Sequence, residues 1–147
     1  MLIRILDETN ANYCDALLTK LIQDEKNYNV FINENFIVKD YFKNIVKDEQ
    51  NILLGYKENK EIVGYVYFKF VKDEDAFGYL IDGLYVEEEY RNKGIAKSLI
   101  TEGLSIIKEK DISFIDINVM SKNETALNLY KSLGFEVLSF KMRKTNI

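Results

Sequence analysis

An α+β fold is predicted for this chain: a mixed, mostly antiparallel β-sheet flanked by helices, in the order β-α-α-β-β-β-α-β-α-β. Three observations predict it. Residues 51–86 hold three runs rich in β-branched and aromatic residues, joined by short polar turns, which is the pattern of an antiparallel meander. From Ile95 onward the apolar spacing becomes helical, and a strand, a second helix and another strand follow. The 147 residues contain no proline, no Gly/Ser-rich stretch and no internal repeat. One domain over 1–147 is expected, large enough to bury a core.

The elements follow in order. Residues 1–6 read as a short strand. After the polar stretch 7–12, Tyr13, Leu17, Leu18, Leu21 and Ile22 recur at helical spacing. A second helix is expected over 36–46, where Ile37, Tyr41 and Ile45 align beside Val38, Phe42 and Val46. Strands are expected over 51–56, 62–71 and 77–86, with polar turns at 57–60 and 72–75. Ile95, Leu99, Ile100, Gly103, Leu104 and Ile107 form one face of a helix ending near 108–110. Residues 112–119 alternate as a strand. Ser121 and Glu124 fit a capping box for a helix carrying Ala126, Leu127, Leu129, Tyr130 and Leu133. Gly134 suits the left-handed position after it. A last strand is expected over 135–140, extended by the basic stretch 141–144.

Composition narrows the chemistry. An apolar share of 47% and a charged share of 30% are those of a soluble globular protein. No apolar run approaches the ~20 residues of a membrane span, and residues 1–6 are too soon interrupted by charge for a signal peptide. A cytoplasmic location and no membrane partner are the expectations. The chain has no histidine and a single cysteine, Cys14. Ser-His and Cys-His pairs, multi-cysteine metal sites and histidine metal sites are thereby excluded. Acid–base work falls to Asp, Glu, Tyr, Lys, Cys or water. A net charge of −4 argues against nucleic acid as a partner and is compatible with a cationic substrate.

Two motifs carry the chemistry. The first is Arg91-x-x-Gly94-x-Ala96, set between a strand end and an apolar helix. A helix N-terminus presents unpaired N–H groups and partial positive charge to an anion. Gly94 and Ala96 keep bulk away, and Arg91 and Lys93 add charge. The spacing is not that of a Walker A loop or a dinucleotide fingerprint. The second is Asn123-x-x-Ala126-x-x-Leu129-Tyr130-x-x-x-Gly134-Phe135. Both motifs, in this order with a strand between them, resemble the signatures of the GNAT superfamily of N-acetyltransferases. The resemblance covers residues 62–140 well and the earlier part by element order only.

The resemblance implies a GNAT-like sheet and acetyl-CoA as acetyl donor, with no metal. It implies that backbone groups of Leu84, Tyr85 and Val86 pair with the pantetheine arm beside a bulge, which Gly83 would tolerate. It implies that Arg91, Asn92, Lys93, Gly94, Ile95, Ala96 and Lys97 wrap the pyrophosphate. Asn92 stands where many relatives have glycine, and asparagine also tolerates a left-handed backbone. Asn123 has two readings, a contact to the pantetheine arm or a helix cap. Tyr130 would donate to the departing thiolate; its alternative is packing on the helix face.

An alkylammonium acceptor is only about one part in a thousand free amine at neutral pH, a cost of roughly 4 kcal/mol. A base is therefore needed. Asp82 lies on the strand where some relatives carry a glutamate, and it would act through water. A carboxylate paired with lysine or facing solvent is the alternative. Glu87, Glu88 and Glu89 read as a solvated run, and Cys14 as a helix residue. The expected activity is acetyl transfer to a primary amine of a small molecule or protein, in an enzyme compatible with homodimer assembly. A non-catalytic acyl-CoA sensor and an interaction domain are the rival classes.

Overall fold

The computed structural model describes residues 1–27, 33 and 35–147. Among them, five strands stand side by side in chain order: β1 (Leu2–Arg4), β2 (Ile52–Glu58), β3 (Glu61–Asp73), β4 (Ala76–Val86) and β5 (Phe114–Ile117). Pairing is antiparallel through β4, and β4 runs parallel to β5. The parallel step needs a crossover, and α3 (Ile95–Lys108) supplies it. The mixed, mostly antiparallel sheet expected from the sequence is what forms.

Strand alternation divides the core between the two faces. Val66 and Phe68 of β3 join Ile52, Leu54, Leu99, Ile100 and Ile107 under α3 and α4 (Glu124–Ser132). Tyr65 and Tyr67, one residue out of phase, join Leu53, Ala11, Cys14 and Leu17 under α1 (Glu8–Asp24). Gly103 lets α3 sit directly on the sheet: a Cβ there would lie 2.1 Å from the Phe68 ring.

In the first half of the chain two helix starts depart from the sequence reading. α1 begins at Glu8 because the Asp7 carboxylate accepts from the Asn10 N–H at 3.0 Å, which also lowers the Asp7 pKa. The helix expected over 36–46 shrinks to α2 (Phe42–Ile45). Asp40 has φ +56 and breaks the run. The buried Asp15 carboxylate then fixes the new start by accepting from the Tyr41 and Phe42 N–H groups at 3.3 and 3.0 Å.

The end of the chain differs as well. Asn123, not Ser121, caps α4, accepting from the Ala126 N–H at 3.3 Å. Helix geometry explains the change: with the first turn at Glu124, only position 123 reaches the third N–H. Gly134 takes the left-handed φ of +94 as expected. The strand expected over 135–140 does not form; from Glu136 every residue is exposed. Its alternation is that of a strand, but among the described residues nothing pairs with it as one.

Candidate active site

β4 pairs with β5 only from Gly78 to Ile81, opposite Phe114 to Ile117. Beyond Ile81 it keeps β3 on one side, up to the Val86–Gly64 pair, and among the described residues no strand pairs with its other edge. The Glu87 N–H donates to the Val63 carbonyl at 2.8 Å. By antiparallel alternation Tyr85 also bonds toward β3, while Leu84 and Val86 turn their N–H and C=O groups to the open edge. The Val86 carbonyl is held there by Arg91 Nε at 2.8 Å.

The opening coincides with a bulge. Tyr67 pairs with Gly83 and Phe68 with Ile81, so Asp82 is the extra residue. The consequence is a change of phase. Ile81 and Leu84 both pack under α3, although they are three positions apart, an odd step that regular alternation would send to opposite faces. Asp82 and Gly83 both turn toward the α1 face, where a Cβ on Gly83 would lie 2.7 Å from Tyr65 Oη.

At the end of the open edge the chain makes a 3₁₀ turn, Glu88–Tyr90, and enters α3. Asn92 has φ +62 and Gly94 φ +79, so the left-handed tolerance read from the sequence is used at both positions. Gly94 is the N-cap of α3, and no side chain among the described residues caps that end. The first intrahelical bond runs from the Ser98 N–H to the Gly94 carbonyl at 3.0 Å. The N–H groups of Ile95, Ala96 and Lys97 therefore have no partner within the helix. A Cβ built on Gly94 meets nothing within 4 Å, and Gly94, Lys97 and Ser98 help line an open depression of ≈ 500 Å³.

The side chains of this loop are tied back to the protein. Arg91 stacks over the Tyr85 ring at 5.1 Å and approaches Asp24 at 3.6 Å. Lys93 lies over the Tyr90 ring at 5.3 Å. Lys20 pairs with Glu87 at 2.5 Å, so the end of α1 is tied to the loop after β4 at two points. Arg91 thus positions the strand end, a role not foreseen for it, and Glu87 is not merely solvated.

Tyr130 is 6% exposed and packs edge-on against Phe135, ring centroids 5.8 Å apart. It belongs to the same apolar cluster as Val86 and Ile95, with Leu84 packed against it. Burial pushes its pKa up to about 12. Asn123 spends its side-chain oxygen on the cap of α4. Cys14 is buried and its thiol pKa is raised by that burial.

Asp82 and Tyr130 thus lie toward opposite faces of the sheet, with the open β4 edge between them. Burial raises the Asp82 pKa, and the Lys69 charge partly offsets the shift. Asp82 acts in turn on Tyr41, Tyr65 and Tyr67, whose pKa values are raised chiefly by burial. Tyr65 Oη is the one buried side-chain polar atom without a hydrogen-bond partner among the described residues. Sequence reasoning missed Tyr65, and missed Asp15 as the group that fixes Tyr41. A tyrosine on a strand reads as core, and only the fold shows its hydroxyl stranded beside a bulge.

Comparison with known proteins adds four findings. A family model described as the acetyltransferase (GNAT) family matches residues 16–135. The chain is 25% identical over 119 residues to spermidine N(1)-acetyltransferase of Thermoplasma acidophilum, covering 79% of this chain and 71% of that protein. It is 25% identical over 105 residues to mycothiol acetyltransferase of Propionibacterium freudenreichii, covering 71% of this chain but only 32% of that protein. Among solved structures, a tetramutant of the BH1408 protein from Bacillus halodurans superposes with a TM-score of 0.83 at 21% identity, covering 98% of each chain. At that identity the likeness is one of fold.

Proposed function

The chain belongs to the acetyltransferase (GNAT) family, and we propose that it moves an acetyl group from acetyl-CoA to a primary amine by direct attack in a ternary complex. One observation carries the reading. The open backbone edge of β4 leads through a short turn to a helix N-terminus that no side chain among the described residues caps and whose N-cap glycine leaves open space. A long ligand with amides at one end and a pyrophosphate at the other fits that sequence of groups. The edge would take the amides as a strand addition, and the N–H groups of residues 95–97 would take the anion.

Bound acetyl-CoA supplies an activated acetyl thioester. This chain's residues do the rest. N–H groups of Leu84 and Val86 facing the open edge orient the carbonyl and favour charge on its oxygen. The acceptor attacks as its free amine. As the N–C bond forms and the C–S bond breaks, the proton that the nitrogen then sheds passes through water to Asp82. A buried water is held only where several polar groups surround it, and the stranded Tyr65 hydroxyl is the natural second partner beside Asp82. Tyr130 keeps its proton at neutral pH and donates it to the departing sulfur, and the tyrosinate left at Tyr130 is reprotonated from solvent. The mechanism draws on no metal.

The acceptor enters on the α1 side, where Asp82 and Glu25 supply negative charge among Tyr41, Tyr65 and Tyr67. A cationic amine is the matching class, and a relative named for spermidine is consistent with it. We read the enzyme as cytoplasmic; no helix among the described residues is long and apolar enough to cross a membrane. The test is a screen of polyamines, aminoglycoside-like amines and peptides with acetyl-CoA, read by mass spectrometry. One acetyl added to a cationic amine is the expected result. Coenzyme A binding without any transfer would instead make the chain a sensor.

A further inference from the structure

Residues 36–41, which lead into α2, belong to neither helix nor strand, and side chains of α1 hold their main chain. Asp15, Thr19 and Gln23 stand four residues apart and so share one stripe of that helix. The Asp15 carboxylate accepts from the Tyr41 N–H at 3.3 Å with one oxygen and from the Phe42 N–H at 3.0 Å with the other. The Thr19 hydroxyl donates to the Asp15 carbonyl at 2.9 Å. Its proton being so committed, its oxygen accepts, and it does so from the Val38 N–H at 3.0 Å. Gln23 Nε2 donates to the Phe36 carbonyl at 2.9 Å. Burial grades the series: the bond to Phe42 is buried, those to Tyr41 and Val38 are partly buried, and that to Phe36 is exposed. The segment is therefore anchored hardest at its Tyr41 end.

That end is the one nearest the chemistry. The Asp15 side chain is buried, and a buried carboxylate that loses its donors costs more than the bonds themselves are worth. Tyr41 and Phe42 are fixed accordingly. The Phe42 ring carries the arrangement inward, edge-on to Tyr65 and Tyr67 at 5.4 and 5.5 Å, with the Tyr41 ring 5.0 Å away on its outer side. Phe42 is 1% exposed and Tyr41 37%, so Tyr41 is the member of this group that an entering molecule meets. Resting on the acetyl-transfer reading, we propose that Asp15, Thr19 and Gln23 are positioning residues for the acceptor amine: they hold residues 36–42 so that Tyr41 forms the wall against which the amine binds. The Asp82 charge is felt at Tyr41, as a pocket shared by the two requires. Asp82, Tyr130 and the donor edge of β4 stand on other elements. Loss of the stripe therefore weakens acceptor binding and spares both the chemical step and the grip on the donor.

Steady-state kinetics on the full chain test this, with acetyl-CoA and spermidine, or whichever amine of the screen is acetylated fastest. Thr19→Val keeps the shape and removes the hydroxyl. The expected result is a KM for the amine raised about tenfold, with kcat and the KM for acetyl-CoA within about twofold of wild type. Thr19→Ser, which keeps the hydroxyl, is expected to restore the wild-type value. Asp15→Asn keeps one oxygen for Phe42 and sets an NH2 against the Tyr41 N–H, so it too should raise the KM for the amine. Combined with Tyr41→Ala it should do no more than Tyr41→Ala alone, because Asp15 acts through Tyr41. Should Asp15→Asn fail to fold, the two Thr19 variants decide. An amine KM that stays at the wild-type value in Thr19→Val overturns the inference. So does one that rises in step with the KM for acetyl-CoA, a fall in kcat in its place, or additive effects at Asp15 and Tyr41. Each of these leaves the acetyl-transfer reading standing. A wild-type chain that binds acetyl-CoA and acetylates no amine of the screen overturns that reading, and the inference with it.

Discussion

Asp82 is held above the ordinary carboxylate range by burial, and the sign of that shift has two consequences. Between the ordinary value and the raised one the folded chain binds more protons than the unfolded one, so stability falls as pH rises through that window. Above the raised value the whole cost is present. Asp82→Asn should therefore raise the melting temperature at neutral pH and leave it unchanged well below the carboxylate range. The same variant should slow transfer most at neutral pH and recover in part as pH rises and free amine accumulates; pH–rate profiles beside thermal melts check both. Tyr130→Phe keeps the buried ring and removes the proton donor, so turnover should fall about 10²-fold with acetyl-CoA affinity retained, as steady-state kinetics and calorimetry would read. Tyr65→Phe removes a buried hydroxyl that has no partner among the described residues. Stability should hold or rise by up to about 1 kcal/mol, while turnover falls about tenfold if the relay water leans on that oxygen. A double-mutant cycle with Asp82→Asn should then be non-additive. Of these residues Tyr130 and Asp82 were singled out through the resemblance to a known family; spacing alone read Tyr130 as a packed aromatic. Tyr65 and Asp15 act only through neighbours far along the chain, and no local spacing announces that.

Among the elements, the entry to α3 holds the most chemistry in the fewest residues. Gly94 combines φ +79 with empty space beside its Cα. A β-branched side chain there faces a backbone penalty of about 1–2 kcal/mol and fills the space an anion would use. Gly94→Val should abolish measurable coenzyme A binding in calorimetry while the circular dichroism spectrum keeps its shape. This element was legible in the sequence because Arg91-x-x-Gly94-x-Ala96 is a local geometry written in residue types. The helix expected over 36–46 shows the opposite case. Its apolar spacing is genuine, and Phe42 is buried as that spacing requires. The main chain of Asp40 and the Asp15 carboxylate decide where the helix starts, and neither belongs to the periodicity. The strand expected over 135–140 rested on alternation alone, and among the described residues no strand lies beside it.

For the molecule as a whole, stability and function meet where α3 lies on the sheet. Gly103 allows the approach, and the Phe68 ring it touches is fully buried. Gly103→Ala forces ring or helix to give way, which should cost about 1–3 kcal/mol in denaturant unfolding and, by tilting α3, weaken coenzyme A binding as well. The chain-order sheet was foreseeable because short polar turns leave a meander few alternatives. The bulge on β4 was not, since alternation within one strand does not reveal how many residues face its neighbour. That bulge divides the labour of recognition. Past it, β4 would read the donor with peptide N–H and C=O groups, which every sequence possesses and no substitution short of proline removes. Beside it, Asp82 and its tyrosines would read the acceptor with side chains, which any substitution can rewrite. One strand thus carries a text that cannot drift next to one that can, and a new acceptor could be acquired without touching the grip on the old donor.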